Sequence, residues 1–527
     1  MTGAAPTQPA SRTVRFLHNV LWSWIGVAFA ILAGLVLSPI TIRQLGEEGY
    51  GIWALVFALI DYYDILDFGF RSAVVKYTAH YRALDEPEQV YTVINTALVY
   101  FSLIGAIVML GTLLVFRSLH ALFQITPPFR PQFATLILLV GFSWSLGAVC
   151  HSFSATLEGY QRFDLSNRAW ITYTGVRSIG CLVVLLMGYG LVPLGIMVVS
   201  SQVLLYILNY RNFQEILPDY RFKLRGAQLS MLRKLAAYGS HTFLANSSWQ
   251  VATQAPSILI GHFLPAAFVG FYAAPNRLIR MAVDVTDRVT SVSNSNTAEL
   301  AARDEMDTVA RMGILVNRYC LTMFLPVAVM LWVYRSEVME VWIRKPAYVT
   351  NSAPLLPIFL LGAIFVLVGQ SNSSSILYGL GKHQGYARGL LVEACVSVAA
   401  LVYAIPRYGI MGAAVVPTVL MILNRGIYTP WYLCRVLHFS FGRYMAGAYA
   451  RPLLTAVPLM VVAYALKTAA LPGRNLFEIA AASAIIGCAG WSLAFFTALE
   501  EEHRALFVEM FASRLGRLSA LLRKQAA

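Results

Sequence analysis

Residues 92–116 read TVINTALVYFSLIGAIVMLGTLLVF, a run with no charged side chain. A helix needs about 20 apolar residues to cross the hydrocarbon of a bilayer, so this run is long enough to span one. Comparable runs recur from end to end, near 18–42, 48–70, 92–116, 132–157, 170–188, 191–209, 235–261, 266–293, 312–334, 354–380, 389–405, 409–434, 452–466 and 476–498. Of the 527 residues, 58% are hydrophobic and 13% charged, whereas a soluble domain carries about 25% charged residues. The fold class expected is an all-α polytopic membrane protein of about 14 transmembrane helices. No soluble domain of useful size fits between the runs.

The formal charge of +14 raises the question of nucleic acid, and the placement of the cations answers it. With the N-terminus in the cytoplasm, the inside segments hold 25 of the 40 Lys and Arg, the outside loops 9, and the spans 6. The positive-inside rule then places both termini in the cytoplasm. The excess is an orientation signal, with anionic headgroups of membrane lipids as a further partner and no role in nucleic-acid binding. Residues 1–17 are polar and hold Arg12 and Arg15, but the following apolar run is too long for a signal peptide and is expected to be a retained first span.

Matches at a constant offset point to an internal repeat. Leu45, Gly51, Trp53 and Ala54 correspond to Leu264, Gly270, Tyr272 and Ala273. Leu157, Gly159 and Arg162 correspond to Leu377, Gly379 and Lys382, and Tyr189-Gly190 to Tyr408-Gly409. The expected organisation is a six-helix bundle over 1–215, a second over 225–435, and an extra helix pair with a basic tail over 436–527. Parallel repeats of even helix number are a construction used by secondary transporters, which hold substrate between the halves.

Ionisable residues within spans are functional candidates, because burying them in lipid is costly. In the second span Asp61, Asp64, Asp67 and Arg71 follow at steps of three, three and four, which on a continuous helix form one stripe. The stripe is either a local pairing of Asp67 with Arg71 or a cation or proton site lining a polar cavity. In the eighth span Arg277, Arg280, Asp284, Asp287, Arg288 and Ser291 share one face. Asp284 can neutralise an arginine one turn away on a helix lying partly in the interface. Alternatively the face lines an aqueous path, where guanidinium forks match the oxygens of a pyrophosphate. The seventh span carries His241, Asn246, Gln250 and Gln254, amides suited either to bonding neighbouring helices or to holding sugar hydroxyls. Arg177, Arg318, Glu393 and Arg425 are isolated cavity candidates.

Several chemistries lack their residues. The six cysteines fall in or beside apolar runs without ligand spacing, so no metal or other cofactor is expected. There is no GxxxxGK[ST] loop to cradle a nucleotide. The longest outside loop, about 335–353, offers Glu337 and Glu340, which read as solvated surface rather than a catalytic pair. No catalytic residue and no enzyme activity is expected.

The stretch SPITIRQLGEEGYGIWALVFALIDYYDILDFGFRSAVVKY, residues 38–77, resembles the signature of polysaccharide-export flippases. Pro39, Leu45-Gly46, Tyr50-Gly51 and Asp67-Phe68-Gly69 occupy the family's places, and ATLEGYQRFDLSNRA, residues 155–169, resembles its loop after the fourth span. The chain is thereby identified as similar to the multidrug/oligosaccharidyl-lipid/polysaccharide (MOP) exporter superfamily, nearest its O-antigen and exopolysaccharide transporters. The resemblance implies alternating access between two bundles and an undecaprenyl-pyrophosphate oligosaccharide as the partner, with polysaccharide polymerase and chain-length machinery as further partners. Arg71, Arg277, Arg280, Arg288, Asn246, Gln250 and Gln254 are then the expected substrate-cavity residues. Asp61, Asp64, Asp67, Asp284 and Asp287 are the expected ion-coupling acids. A cation-coupled drug or metabolite antiporter, a lipid II flippase, and an assembly partner of a polysaccharide synthase with no transport of its own are the competing readings.

Overall fold

The structure, a computed structural model, describes residues 12–290, 297, 300, 303, 305–505 and 509, with side chains described from 29 onward except at 64, 241, 242, 287–290, 368 and 371. Among the described residues the chain is helical throughout, with α1 at Arg12–Tyr63, α2 at Phe70–Ala83, α3 at Pro87–Val115, α4 at Arg130–Gly159, α5 at Phe163–Leu186 and α6 at Leu191–Ile216. Then follow α7 at Leu229–Phe263, α8 at Ala267–Thr290, α9 at Met306–Val333, α10 at Arg335–Ile343, α11 at Pro346–Asn351 and α12 at Leu355–Val366. The last are α13 at Asn372–Gly379, α14 at Gln384–Met421, α15 at Thr429–Val436, α16 at Phe441–Ala469 and α17 at Leu476–Thr497. In lipid every backbone donor and acceptor must be satisfied within the segment, which leaves the helix as the element for such a sequence.

Among the described residues the fourteen apolar segments lie on helical backbone apart from their end residues, with 291–293 of the eighth outside the described residues. Among the described residues nine helices are individually long and apolar enough to cross a membrane. Two of these nine carry two of the segments each. Phe29–Asp67 holds the first and second, with a break at Gly46 (φ 75°, ψ −178°), and Gln384–Val436 holds the eleventh and twelfth, with a break at Gly409 (φ 59°, ψ −143°). Both conformations belong to glycine, because a Cβ there clashes with its own backbone.

The faces of the helices are sorted as lipid demands. On α3, Val90, Val93, Ile94, Ala97 and Phe101 are buried, whereas Leu103, Ile107, Leu110 and Leu114 are each more than half exposed. Their spacing of three and four puts the exposed set on one stripe. In water such a patch would be an aggregation surface, and in a bilayer it is the outer wall.

Two turns recur at the offset of the sequence repeat. After Gly159, Tyr160, Gln161 and Arg162 donate their amides to Thr156, Glu158 and Leu157 at 2.9, 2.8 and 3.0 Å. After Gly379, Leu380, Gly381 and Lys382 donate to Ile376, Tyr378 and Leu377 at 2.9, 3.0 and 2.9 Å. The left-handed residue is Gln161 (φ 58°) in one and Gly381 (φ 66°) in the other. The same helix ending is built twice.

The chain packs as two compact units, Met1–Ala274 with Leu390–Pro417, and Pro275–Gly389 with Thr418–Ala527. These units are composed differently from the sequence repeat, since α7 and the start of α8 belong to the first. Within the first unit, the turn between α7 and α8 is tied to the segment before α4. Gln124 donates from its backbone to Gly261 O at 3.0 Å and from Nε2 to Phe263 O at 2.9 Å, and accepts from the Ala266 amide at 3.3 Å. The basic loop between α6 and α7 is pinned to α3 by buried Asn95. Its Oδ1 accepts from the Tyr220 hydroxyl at 2.7 Å and from the Lys223 amide at 3.2 Å. Replacing Asn95 with leucine leaves both donors without this acceptor, at about 1–3 kcal/mol for the buried Tyr220 hydroxyl. Limited proteolysis in detergent should then cut the 217–228 loop faster in N95L than in the wild type.

Candidate functional site

The stretch that resembles the family signature ends in a break in the helix. The backbone passes from α1 through one turn of 3-10 helix at Asp64–Asp67, then two left-handed residues, Phe68 (φ 48°) and Gly69 (φ 72°), before α2 begins. A left-handed aromatic residue is uncommon. Phe68 is held by stacking on Phe243 of α7, with ring centroids 4.8 Å apart. The approach of α7 is close: a Cβ on Gly239 would lie 2.7 Å from the Phe68 carbonyl oxygen.

Beside this break lies a cavity of about 390 Å³. Its polar wall is formed by Asp67, Arg71, His151, Asn246, Ser247 and Gln250, and its apolar wall includes Phe243 and Trp249. Three of the expected residues from α7 and the break, Arg71, Asn246 and Gln250, thus share one wall with Asp67.

The expected continuous acidic stripe is corrected by the break. Arg71 sits on α2, beyond two left-handed residues, so it does not continue the helical face of Asp61. Asp67 Oδ1 accepts the Arg71 backbone amide at 3.2 Å, holding the first turn of α2, while the guanidinium pairs with Glu158 of α4. Arg71 is 41% exposed and lines the cavity, so its guanidinium retains room for a further acceptor beside Glu158. Asp61 faces α7: Gln250 Nε2 donates to its backbone carbonyl at 2.6 Å and Gln254 Nε2 donates to its carboxylate. These two amides therefore join helices, and Asn246, one turn earlier on the same helix, is exposed in the cavity wall. The side chains of Asp64 and His241 lie outside the described residues.

In the second unit the polar residues of α8 separate from its apolar ones. Arg277, Arg280 and Asp284 are exposed, whereas Ile279 and Thr286 are buried. The side chains of Asp287 and Arg288, and the whole of Ser291, lie outside the described residues. Two of the isolated candidates hold structure together. Arg177 donates to the Tyr173 hydroxyl at 3.0 Å. Buried Arg318 donates to Gly447 O at 2.9 Å and pairs with Glu500 at 3.3 Å. Glu393 and Arg425 are buried.

Glu158 and His151 are the site residues that sequence reasoning missed. Both stand on α4, seven positions apart, and so lie two turns apart on one face. A lone acid at the end of an apolar run gives no sign of its partner, which lies 87 residues earlier. His151 shares an edge-to-face contact with Phe101, ring centroids 5.9 Å apart, and its Nδ1 has no hydrogen-bond partner within the described protein.

Comparison with family models gives the family, and relatives and solved structures are similar over most of the chain. Residues 16–287, more than half of the chain, match the model of a family described as "Polysaccharide biosynthesis protein". A Shigella flexneri protein named "Putative O-antigen transporter" is 23% identical over 430 residues, covering 80% of this chain and 98% of its own length. Among solved structures, the lipid II flippase MurJ in an inward closed conformation superposes with a TM-score of 0.69 at 14% identity, covering 90% of this chain and 99% of that one. An inward-facing multidrug resistance MATE family transporter of the MOP superfamily superposes with a TM-score of 0.67 at 13% identity, covering 78% and 95%. These structural likenesses carry the fold, and the family match leads to one conclusion: the chain belongs to the family described as polysaccharide biosynthesis proteins.

Proposed function

We propose that this protein is a flippase that moves undecaprenyl-pyrophosphate-linked oligosaccharide across the bacterial inner membrane for cell-surface polysaccharide assembly. The observation that carries the reading is the cavity at the break between α1 and α2, where Arg71, Asp67, His151, Asn246 and Gln250 share one wall. Arg71 offers a half-exposed guanidinium, a donor that matches phosphate oxygens in a planar fork. Asn246 and Ser247 offer hydroxyl and amide partners of the kind a saccharide needs, and Phe243 and Trp249 offer apolar faces for a sugar ring. The headgroup passes through polar surface while the polyprenyl tail stays in the bilayer beside the exposed leucines of the outer wall. Both termini are cytoplasmic, and the two sequence-related halves, 1–215 and 225–435, alternate access to the substrate, with 436–527 as an added helix pair. Polymerase and chain-length proteins act on the delivered product.

Ion coupling is assigned to the acids of the second and eighth segments. Asp61 and Asp64 are the candidates for exchange, Asp284 and Asp287 accompany the arginines of α8, and Asp67 is structural through its bond to the Arg71 amide. Flipping of lipid-linked oligosaccharide in vesicles is then expected to respond to an imposed proton or sodium gradient, and Asp64→Asn to lose that response while still binding substrate. A wild type indifferent to both gradients removes the coupling assignment.

The cavity is tested by Arg71→Ala and Arg71→Lys in a strain whose own flippase gene is deleted. Surface polysaccharide should fall at least tenfold with R71A, the loss expected when a desolvated phosphate contact worth about 1.5–3 kcal/mol is removed. R71K should recover part of it, because an ammonium keeps the charge and loses the fork. Wild-type export from R71A at matched membrane abundance would overturn the role of this cavity.

A further inference from the structure

The cations assigned to the outer loops are few, and five of the nine fall in two segments of the second unit: Arg335, Arg344 and Lys345 in one, Lys467 and Arg474 in the other. Positive charge on the outer side works against the orientation signal, so its concentration there calls for a physical reason. The two segments meet. Tyr334 at the end of α9 donates its hydroxyl to Leu471 O at 2.9 Å, and Lys467 Nζ donates to Val333 O at 2.8 Å. Between α10, α11 and the start of α17 lies a cavity of about 610 Å³, with Glu340, Arg344, Lys345, Thr350, Arg474 and Asn475 on its polar wall.

The local acids are disposed so that three of these cations stay unneutralised. Glu337 pairs with Lys467 at 2.7 Å. Glu478 accepts the amides of Gly473 and Arg474, each at 2.9 Å, and the side-chain amide of Asn475 at 3.0 Å, while Asn475 Oδ1 in turn caps the Glu478 amide at 2.9 Å. Glu340 remains on the cavity wall and forms no ion pair among the described residues. Arg344, Lys345 and Arg474 likewise have no carboxylate within ion-pair distance among the described residues, so the cavity holds three cations against one acid. Arg344 occupies the left-handed position that ends α10 (φ 60°, ψ 39°), a place where glycine or asparagine is the usual residue. Leu476, on the cavity's edge, and Phe477 beside it are 68% and 79% exposed, which puts the site at the boundary between polar and apolar solvent.

We propose that Arg344, Lys345 and Arg474 form a binding site for a lipid phosphate at the membrane surface, separate from the cavity at the α1–α2 break. The chemistry is that of guanidinium and ammonium groups on phosphate oxygens, with Thr350 and Asn475 as neutral donors and the exposed Leu476 edge beside the acyl chains. Two sources supply a phosphate in that setting: the headgroup of an anionic phospholipid, or the diphosphate of the carried lipid. The placement on the outer side rests on the orientation proposed above; the binding itself does not.

The test uses full-length protein in detergent, with native mass spectrometry of bound lipid. Phosphatidylglycerol should be retained in preference to phosphatidylethanolamine. The triple variant Arg344→Gln, Lys345→Gln, Arg474→Gln should weaken that binding at least about tenfold, given the usual contribution of each basic residue at an anionic surface. Arg335→Gln, a cation outside the cavity wall, should leave it unchanged. Single variants Arg344→Gln and Arg474→Gln, each showing a partial loss with a wild-type elution profile, guard against a fold defect in the triple variant. Displacement of the phospholipid by inorganic pyrophosphate identifies the diphosphate as the ligand; its resistance identifies the phospholipid. Equal retention of both phospholipids by the wild type, or equal binding by wild type and triple variant, overturns the site. No step of this experiment requires transport, so a failure here leaves the flippase reading standing, and wild-type export from R71A leaves this site untouched.

Discussion

Gly51→Ala should deplete folded protein more than any other single methyl added to the first unit. A Cβ on Gly51 would lie 1.8 Å from the Ala266 carbonyl oxygen, 2.5 Å from its carbon and 3.0 Å from the Ala267 Cα. All three atoms are backbone, at the turn where α7 ends and α8 begins, and Gln124 ties that turn from the other side. Neither partner can swing away as a side chain does. Overpacking of a well-filled core costs about 1–3 kcal/mol, and a clash with fixed backbone lies at or above the upper end. Gly111→Ala is the matched control: it adds the same methyl to α3, where nothing stands within 4 Å, and should be neutral or stabilising by up to about 1 kcal/mol. Fluorescence-detected size exclusion after heating should show G51A lost at temperatures where G111A still elutes as the wild type does. Equal thermal survival of the two variants would falsify the close approach of α1 to the α7–α8 turn.

The second large effect concerns transport rather than folding. Arg277→Ala and Arg280→Ala should each abolish polysaccharide export while leaving membrane abundance near normal. Both side chains are exposed on α8 and pair with no acid among the described residues, so truncation leaves no buried carboxylate behind and little stability to lose. A surface substitution of this kind changes stability by about 0.5 kcal/mol or less. If these guanidinium groups bind the diphosphate during transport, their loss falls on export alone, and Arg277→Lys restores only part of it. Full export from both alanine variants at equal expression removes α8 from the path.

What the sequence made legible was whatever depends on local composition. The run at 92–116 emerges as α3, and on α7 the regularly spaced amides Gln250 and Gln254 bond Asp61 of α1. The partner itself was not legible, because Asp61 lies 189 and 193 residues away from Gln250 and Gln254 and only packing brings them together. The same holds for Arg71 and Glu158. The helical stripe from Asp61 to Arg71 was misread for a different reason. Hydropathy sees a continuous apolar segment through Phe68 and Gly69, yet the backbone there turns left-handed. Asp67 followed by a residue and then Gly69 carried the hint, since a short acceptor side chain and a residue free to adopt positive φ are what a helix restart uses.

The two hydrogen bonds donated by α7 glutamines to Asp61 have a mechanical meaning. One is to a backbone carbonyl and the other to the carboxylate of the same residue, and their donors stand one turn apart. Two such ties suppress both sliding and rolling of one helix on the other, as two bolts fix a plate where a single bolt leaves a pivot. Some eleven residues away on α7, Gly239 bears directly on the Phe68-Gly69 turn. The helix is thus held at two levels, at Asp61 and at the turn that opens the cavity wall carrying Arg71, so that wall is braced by a helix it does not belong to.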